Sequence, residues 1–179
     1  MTEVKSKRGL KKHYEAAPEE VREYFSHLPG LLETFPLHVA LAYVFSRVEL
    51  AQNMAIYCGI VKRHKGDAAL VRKAVDAHHM TRKDFAEKYK AVFGKAPSAF
   101  IGAAEKVRDK VMHGKNTTDK EVRQAIAKVL DYAQRLNAGV SSVAGFKPFG
   151  DLRGFKGAAQ SLDSSTTRWL LKGMGFLMS

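Results

Sequence analysis

The sequence predicts an all-α fold, an up-and-down helical bundle followed by a glycine-rich C-terminal extension. Apolar residues recur every three or four positions along most of the chain, which is the period of an amphipathic helix. Hardly any segment shows the alternation of apolar and polar residues that is typical of a half-buried strand. Capping residues, prolines and glycines mark where helices begin and end. The 179 residues suffice for one domain with its own hydrophobic core.

The N-terminal third of the sequence predicts a basic tail, a short helix and the longest helix of the chain. Residues 1–16 are interpreted as the tail, because basic residues dominate them. A helix is expected to begin at Pro18, since a first turn does not need the N–H that proline lacks, and to end at Pro29-Gly30. The longest helix is predicted from about Pro36 to His64. The bundle as a whole is predicted over residues 17–139.

Two shorter helices are expected next. Asp67 suits an N-cap, because its carboxylate can accept a hydrogen bond from a backbone N–H of the first turn. Thr81, with Asp84 three residues later, has the spacing of a capping box, and Gly94 suits the left-handed residue that ends such a helix.

A further short helix carries the most informative stretch of the chain, Arg108 to Gly114. Ser98 is the expected N-cap, and the helix is predicted to end at His113, with Gly114 as the left-handed terminal residue. An apolar side at helical spacing is expected to be buried: Ile101, Ala104, Val107, Val111 and Met112.

The remaining sequence predicts one long helix and the C-terminal extension. Thr118 and Glu121 form a capping box, and the helix behind it is expected to stop before Gly139. Residues 140–179 are rich in glycine and predict an extension with a short helix that starts at Ser164 or the next residue. The apolar end of the extension leaves two interpretations open, a flap docked on the bundle or an interface with a second subunit.

The composition favours an anionic partner and a reducing compartment. Thirty lysines and arginines against 18 acidic residues give a formal net charge of +12, which suits nucleic acid but also arises from solvated helix faces. Cys58 is the only cysteine, so no disulfide forms within one chain. We expect a cytoplasmic protein, because no apolar signal segment is visible. We expect no membrane partner, because polar and charged residues interrupt the apolar run from Leu37 to Val61.

Arg108, Asp109 and His113 bring together the groups that a metal-free ribonuclease needs. A histidine can take and give a proton near neutral pH, and an arginine can clamp a phosphate with two N–H groups. Asp109 and His113 are four residues apart and face each other on a helix, so the aspartate is expected to hydrogen-bond and orient the imidazole. Arg108 lies about 140° from His113 around the helix, so its long side chain has to reach round to the same phosphate.

The five-residue spacing is weak evidence by itself, because Arg8–His13 and Arg22–His27 repeat it. The third copy, Arg108–His113, differs in its setting. A polar residue follows the arginine, two apolar residues precede the histidine, and a glycine ends the helix. This arrangement in a small all-helical chain resembles the HEPN superfamily.

The resemblance implies a helical bundle that pairs so that two motifs face each other across a dimer interface. It implies a metal-independent endoribonuclease of the toxin–antitoxin or defence type, in which His113 is the general acid/base and Arg108 holds the scissile phosphate. Family members often add an acidic or polar side chain from an earlier long helix, and Glu49 and Asn53 are the candidates. The implied partners are RNA, a second copy of the chain, and an antitoxin or nucleotidyltransferase-like protein.

Two other functions stay open, a non-catalytic HEPN-like binding or regulatory module and a basic nucleic-acid-binding protein. No cofactor is expected, because neither a P-loop nor a GxGxxG pattern occurs. No metal site is expected either, because the adjacent His78 and His79 point to different faces of a helix and no third ligand has a fixed spacing. Cys58 is interpreted as core filler. Trp169 is interpreted as packing in the core or at an interface, with base stacking as the alternative.

Overall fold

The computed structural model describes residues 4–177, and that part of the chain is all-helical, as predicted. Residues 1–3 of the predicted tail and 178–179 of the predicted extension lie outside the described residues. None of the described helices combines the length and the apolar character of a membrane span. The described part contains nine helices and no strand: α1 (Lys7–Glu15), α2 (Glu19–Tyr24), α3 (Leu28–Thr34), α4 (Leu37–Arg63), α5 (Ala68–Asp76), α6 (Arg82–Phe93), α7 (Gly102–Met112), α8 (Asp119–Ala144) and α9 (Ser164–Gly173).

The chain divides into two compact units, and the long helices α4 and α8 each contribute residues to both. No single break in the sequence marks this division. The first unit comprises Met1–Leu50, Ala99–Asn137 and Phe149–Asp151. The second unit comprises Ala51–Ser98, Ala138–Pro148 and Leu152–Ser179.

Aromatic side chains around Phe149 form part of the core of the first unit. The rings of Tyr24, Phe25 and Tyr132 have centroids 5.2, 5.7 and 6.0 Å from that of Phe149. The side chain of the buried Asn137 forms hydrogen bonds with both the carbonyl and the N–H of Phe149. Its Nδ2 donates to the Phe149 carbonyl at 2.9 Å, and the Phe149 N–H donates to its Oδ1 at 2.8 Å. The short segment 149–151 is therefore fixed in this core by one side chain of α8.

The basic segment that we predicted as a tail instead contains helix α1. Leu10 and Tyr14, one turn apart, are both buried in the first unit. The Nε2 atom of His13 lies 2.9 Å from a carboxylate oxygen of Asp131 on α8. Two buried residues suffice to anchor a helix of nine residues. So short an apolar pattern is hard to recognise in a sequence where lysines surround Leu10.

Two glycine-containing signals have a different role from the predicted one. Pro29-Gly30 does not end a helix but lies in the first turn of α3, where proline costs no hydrogen bond. Gly139 does not end α8, which continues to Ala144. A Cβ at Gly139 would lie 3.0 Å from the Ser98 Oγ and 3.3 Å from the Tyr89 hydroxyl oxygen, so glycine there permits a close approach inside the second unit.

The predicted helix caps are confirmed for α5, α6 and α8. The Asp67 side chain accepts a hydrogen bond from a first-turn N–H of α5, and Thr81 forms a reciprocal capping box at α6. Gly94 ends α6 with a φ of +75°. At α8, the Thr118 N–H donates to the Glu121 carboxylate at 2.8 Å, and the Glu121 N–H donates back to the Thr118 Oγ1 at 3.2 Å.

Most of the C-terminal extension belongs to the second unit, and only residues 149–151 belong to the first. Helix α9 begins at Ser164, as predicted, and contacts α5. Phe176 is buried, and the Nζ of Lys88 donates to the Gly175 carbonyl at 3.2 Å while lying 4.8 Å from the centre of the Phe176 ring. Trp169 is 72% exposed, so it does not pack in the core, and its packing at an interface stays a prediction.

We expect Cys58 to be unreactive in the folded protein. Its side chain is buried, and burial raises the pKa of the thiol to about 12, so hardly any nucleophilic thiolate exists near neutral pH. Iodoacetamide at pH 8 should therefore leave the native protein unmodified while labelling it completely in urea, as read by intact-mass spectrometry. Stoichiometric labelling of the native protein at the rate found in urea would contradict this placement.

Candidate functional site

Helix α7 carries the predicted site in the first unit, but it begins later than expected. Its N-cap position is Ile101 rather than Ser98. Ile101 and Ala104 are buried, as predicted, and Val107 and Val111 are half-buried. Met112 is 67% exposed, so its predicted burial is wrong. The side of α7 that faces the core is formed by residues 101, 104, 107 and 111, which recur at helical spacing. Met112 lies beside this stripe and is therefore not buried.

The C-terminus of α7 is built as the sequence predicts. Met112 is the last helical residue, and His113 follows as the C-cap, its N–H donating to the Asp109 carbonyl at 3.0 Å. Gly114 adopts a φ of +65°, which allows the next N–H, that of Lys115, to donate to the Lys110 carbonyl at 2.8 Å. These bonds fix the backbone of His113 and leave its side chain exposed.

The guanidinium of Arg108 joins α7 to α4. Its Nη1 donates to a carboxylate oxygen of Glu49 at 3.2 Å, and its Nε and Nη2 donate to Asp109 Oδ1 at 3.0 and 2.8 Å. The guanidinium carbon lies 5.0 Å from the centre of the Phe45 ring, close enough for a cation–π contact. The side chain keeps 30% of its surface exposed. Two carboxylates and one ring therefore position a cation that solvent still reaches.

The predicted hydrogen bond between Asp109 and His113 is not formed. The carboxylate of Asp109 turns to its neighbour Arg108, and the imidazole of His113 has no side-chain partner within residues 4–177. The guanidinium is permanently charged and offers two N–H groups to one carboxylate oxygen, whereas a neutral imidazole offers one. His113 also lies one residue beyond the helix, where the i, i+4 relation weakens.

Glu49, one of the two supporting candidates from α4, contacts Arg108 of the predicted site. Glu49 belongs to the first unit and pairs with Arg108. Asn53 is half-buried in the second unit. Phe45 was not among the predicted site residues, although its spacing from Glu49 was a usable signal, because residues four apart lie on the same helix face.

The two adjacent histidines of the second unit, His78 and His79, differ in their surroundings. Within the described residues, no group of three or more histidine, cysteine or acidic side chains is placed to hold a metal ion. His78 packs edge-on against Phe176 with a centroid distance of 5.7 Å, and its Nε2 is buried without a hydrogen-bond partner. Burial lowers the pKa of His78, and the positive charge of Lys88 adds to this effect. His79, by contrast, is exposed.

Comparisons with known proteins identify no relative: no protein-family model, curated protein or solved structure matches the chain.

Proposed function

We propose that this protein is a metal-independent RNA endonuclease of the HEPN type. In the proposed reaction, the ribose 2′-oxygen attacks the adjacent phosphorus, and the bond to the 5′-oxygen of the next nucleotide breaks. His113 acts as general acid/base on these two oxygens, and Arg108 stabilises the charge that develops on the phosphate. The products are a 2′,3′-cyclic phosphate and a 5′-hydroxyl, and no redox partner is needed.

The ion pair between Arg108 and Glu49 carries this proposal. The resemblance leads us to expect an acidic side chain from an earlier long helix beside the motif, and Glu49 on α4 takes this position. Of the five N–H groups of an arginine, Glu49 and Asp109 occupy three, which leaves two for a phosphate. A positioned, partly exposed cation and an exposed imidazole on one helix end supply the required chemistry.

We further propose that a second copy of the chain completes the site. Arg108 faces α4, whereas His113 is exposed at the end of α7, so one imidazole and one guanidinium of the same chain are not held together. Two exposed apolar side chains accompany the ion pair. Leu50, next to Glu49, is 47% exposed, and Met112, one turn after Arg108, is 67% exposed. A self-association surface at this place would bring two motifs together and cover both residues.

Placing a charge on this surface should prevent self-association. We expect Met112→Glu to lower the sedimentation coefficient from that of a dimer to that of a monomer and to reduce RNA cleavage with it, because a buried unpaired carboxylate is costly. Lys172→Glu, an exposed change in the second unit, is the control and should leave both properties intact. A Met112→Glu protein that sediments and cleaves like the wild type would refute the composite site.

The decisive experiment uses single-stranded RNA in the presence of excess chelator. We expect cleavage that leaves cyclic phosphate ends, read by mass spectrometry of the products. An oligonucleotide with a 2′-deoxyribose at every cleaved position should be resistant, because the attacking oxygen is then missing. Absence of cleavage from a broad panel of RNAs, or cleavage of the deoxy-substituted strand, would reject the proposal.

A non-catalytic HEPN-like binding module is the second candidate. The observation in its favour is that Arg108 is already engaged by two carboxylates while His113 lacks an orienting partner in the described chain. This candidate predicts RNA or protein binding without cleavage. It also predicts that His113→Ala leaves that binding unchanged.

A further inference from the structure

The only tryptophan of the chain lies on the surface of the second unit, and the proposed reaction does not use it. Trp169 is 72% exposed on α9, whereas Thr167 and Leu171, two residues before and after it, are buried. The Thr167 Oγ1 accepts a hydrogen bond at 3.1 Å from the N–H of Asp67, the N-cap of α5. Two residues correspond to about 200° around a helix, so Trp169 lies on the side of α9 that faces away from this buried contact.

Two positive charges lie beside the indole ring on the outer side of α9. Lys172 follows Trp169 by one turn, and its Nζ is 5.4 Å from the ring centre. Arg168 lies four residues before Lys172, so these two exposed cations are neighbours on the helix surface. Neither side chain has a hydrogen bond or an ion pair within residues 4–177. Like charges at this spacing repel each other, so an anion bound beside both is favoured. We call Arg168, Trp169 and Lys172 the α9 patch.

The acidic residues of α5 and of the α9 N-cap are engaged elsewhere. Helix α9 itself contains no acid, and its N-cap Asp163 accepts from the Thr166 N–H at 3.0 Å and from the Thr166 hydroxyl at 2.6 Å. Helix α5, which contacts α9, has one acid, Asp76, whose carboxylate lies 3.9 Å from the guanidinium of Arg72. The cations of the α9 patch are therefore available to an anionic partner.

We propose that the α9 patch binds single-stranded nucleic acid, with one base stacked on Trp169 and the phosphates beside that base held by Arg168 and Lys172. Every base has a flat π-face, and proteins hold unpaired strands by combining exposed aromatic rings with cations along the backbone. An acidic protein segment satisfies the cations but offers no flat partner for the indole. A double strand keeps its bases stacked on one another. The formal net charge of +12 attracts the strand over a longer distance.

The α9 patch does not depend on the proposed RNase activity. Stacking and phosphate contacts need no 2′-hydroxyl, so the patch binds a strand that the proposed reaction cannot cut. A contact that only strengthens binding leaves the rate at saturating substrate unchanged. Lys172→Glu should therefore lower the affinity for RNA without changing the cleavage rate once RNA is saturating.

Tryptophan fluorescence of the intact protein tests the patch directly, because Trp169 supplies all of the tryptophan emission. The probe is a short single strand of 2′-deoxythymidines, which lacks the attacking oxygen. We expect this strand to quench the emission and an abasic strand of the same length and charge to quench it much less. Equal quenching by both strands, or quenching by neither, would overturn the inference.

Substitutions separate stacking from charge, with binding of a labelled deoxythymidine strand followed by fluorescence anisotropy. Trp169→Ala should weaken binding about fivefold or more, and Trp169→Phe should restore most of the affinity. Phe100→Ala, at an aromatic side chain of the first unit that is 67% exposed, is the matched control and should bind like the wild type. Exchanging both Arg168 and Lys172 for glutamine should reduce the slope of log affinity against log salt concentration by about 1.4, because each phosphate contact contributes about 0.7.

Unchanged affinity in Trp169→Ala would overturn the proposal even if the double glutamine variant binds more weakly, because the charges alone would then account for binding. Displacement of the strand by a glutamate-rich peptide of equal charge, with an affinity that depends on Trp169, would identify a protein-docking surface instead. Since the probe cannot be cleaved by the proposed reaction, a failure of strand binding and a failure of RNA cleavage are observed separately.

Discussion

Replacing His113 by alanine is expected to lower the rate of RNA cleavage roughly 100- to 10,000-fold, the usual contribution of general acid–base catalysis. An imidazole can take and give a proton near neutral pH, whereas arginine stays protonated, so His113 is the proposed partner of the ribose and the leaving oxygen. The side chain is exposed and has no hydrogen-bond partner within residues 4–177. Its loss should therefore change the free energy of unfolding by less than about 0.5 kcal/mol.

RNA cleavage is followed as a single-turnover time course in the presence of excess chelator. Urea unfolding of the same samples gives the free energy of unfolding. His38→Ala is the matched control, because His38 is also exposed and lies at the start of α4, away from the motif in sequence. It should cleave at the wild-type rate. If both alanine variants cleave RNA equally fast, His113 is not the general acid/base and the cleaving activity belongs to another site or another protein in the sample.

The Asn137→Leu variant should lose roughly 2–6 kcal/mol of stability, because it leaves two buried backbone groups without partners at about 1–3 kcal/mol each. Asn137 bonds both the N–H and the carbonyl of Phe149, and both residues are buried. Leucine has the same four branched side-chain heavy atoms and is somewhat larger, so the loss does not come from a cavity. Such a loss is a large part of the 5–15 kcal/mol that typically holds a domain together.

Urea unfolding followed by circular dichroism gives the size of this effect. The control is Gln134→Leu, at an exposed position one turn before Asn137 on α8. Its free energy of unfolding should stay within about 0.5 kcal/mol of that of the wild type. Hydrogen exchange of the Phe149 amide provides a second readout, since it should accelerate in Asn137→Leu even if the variant folds fully. A loss below 1 kcal/mol together with an unchanged exchange rate would mean that these bonds do not hold the segment.

Local signals in the sequence were sufficient to predict most helix ends. Helices are capped by Asp67, Thr81 and Thr118, whose side chains accept hydrogen bonds from N–H groups of the first turn. Such a cap depends only on four neighbouring residues, so the local sequence predicts it. The error at Gly139 concerns a residue whose role depends on distant partners. Gly139 resembled a stop signal, but α8 continues past it, and a Cβ there would crowd Ser98 and Tyr89.

The candidate site was predictable to the same degree. The end of α7, the left-handed Gly114 and the exposure of His113 follow from the local sequence. The partner of Arg108 does not, because Glu49 lies 59 positions away and only the fold brings the two together. The contact between Asp109 and Arg108 was missed for another reason: the i, i+4 rule ranks helix neighbours, whereas adjacent side chains with flexible stems can also meet.

Helix α1 determines how the basic N-terminal residues can be studied. Deleting them to remove charge would also take Leu10 and Tyr14 out of the first unit, so a truncated protein would confuse weaker RNA binding with a damaged core. Exposed lysines on the same segment, Lys5 and Lys12, can be exchanged for glutamine without touching that core. For the proposed RNA ligand, the number of phosphates contacted by this segment would be given by the change in the slope of log affinity against log salt concentration, close to 0.7 per phosphate for a single strand.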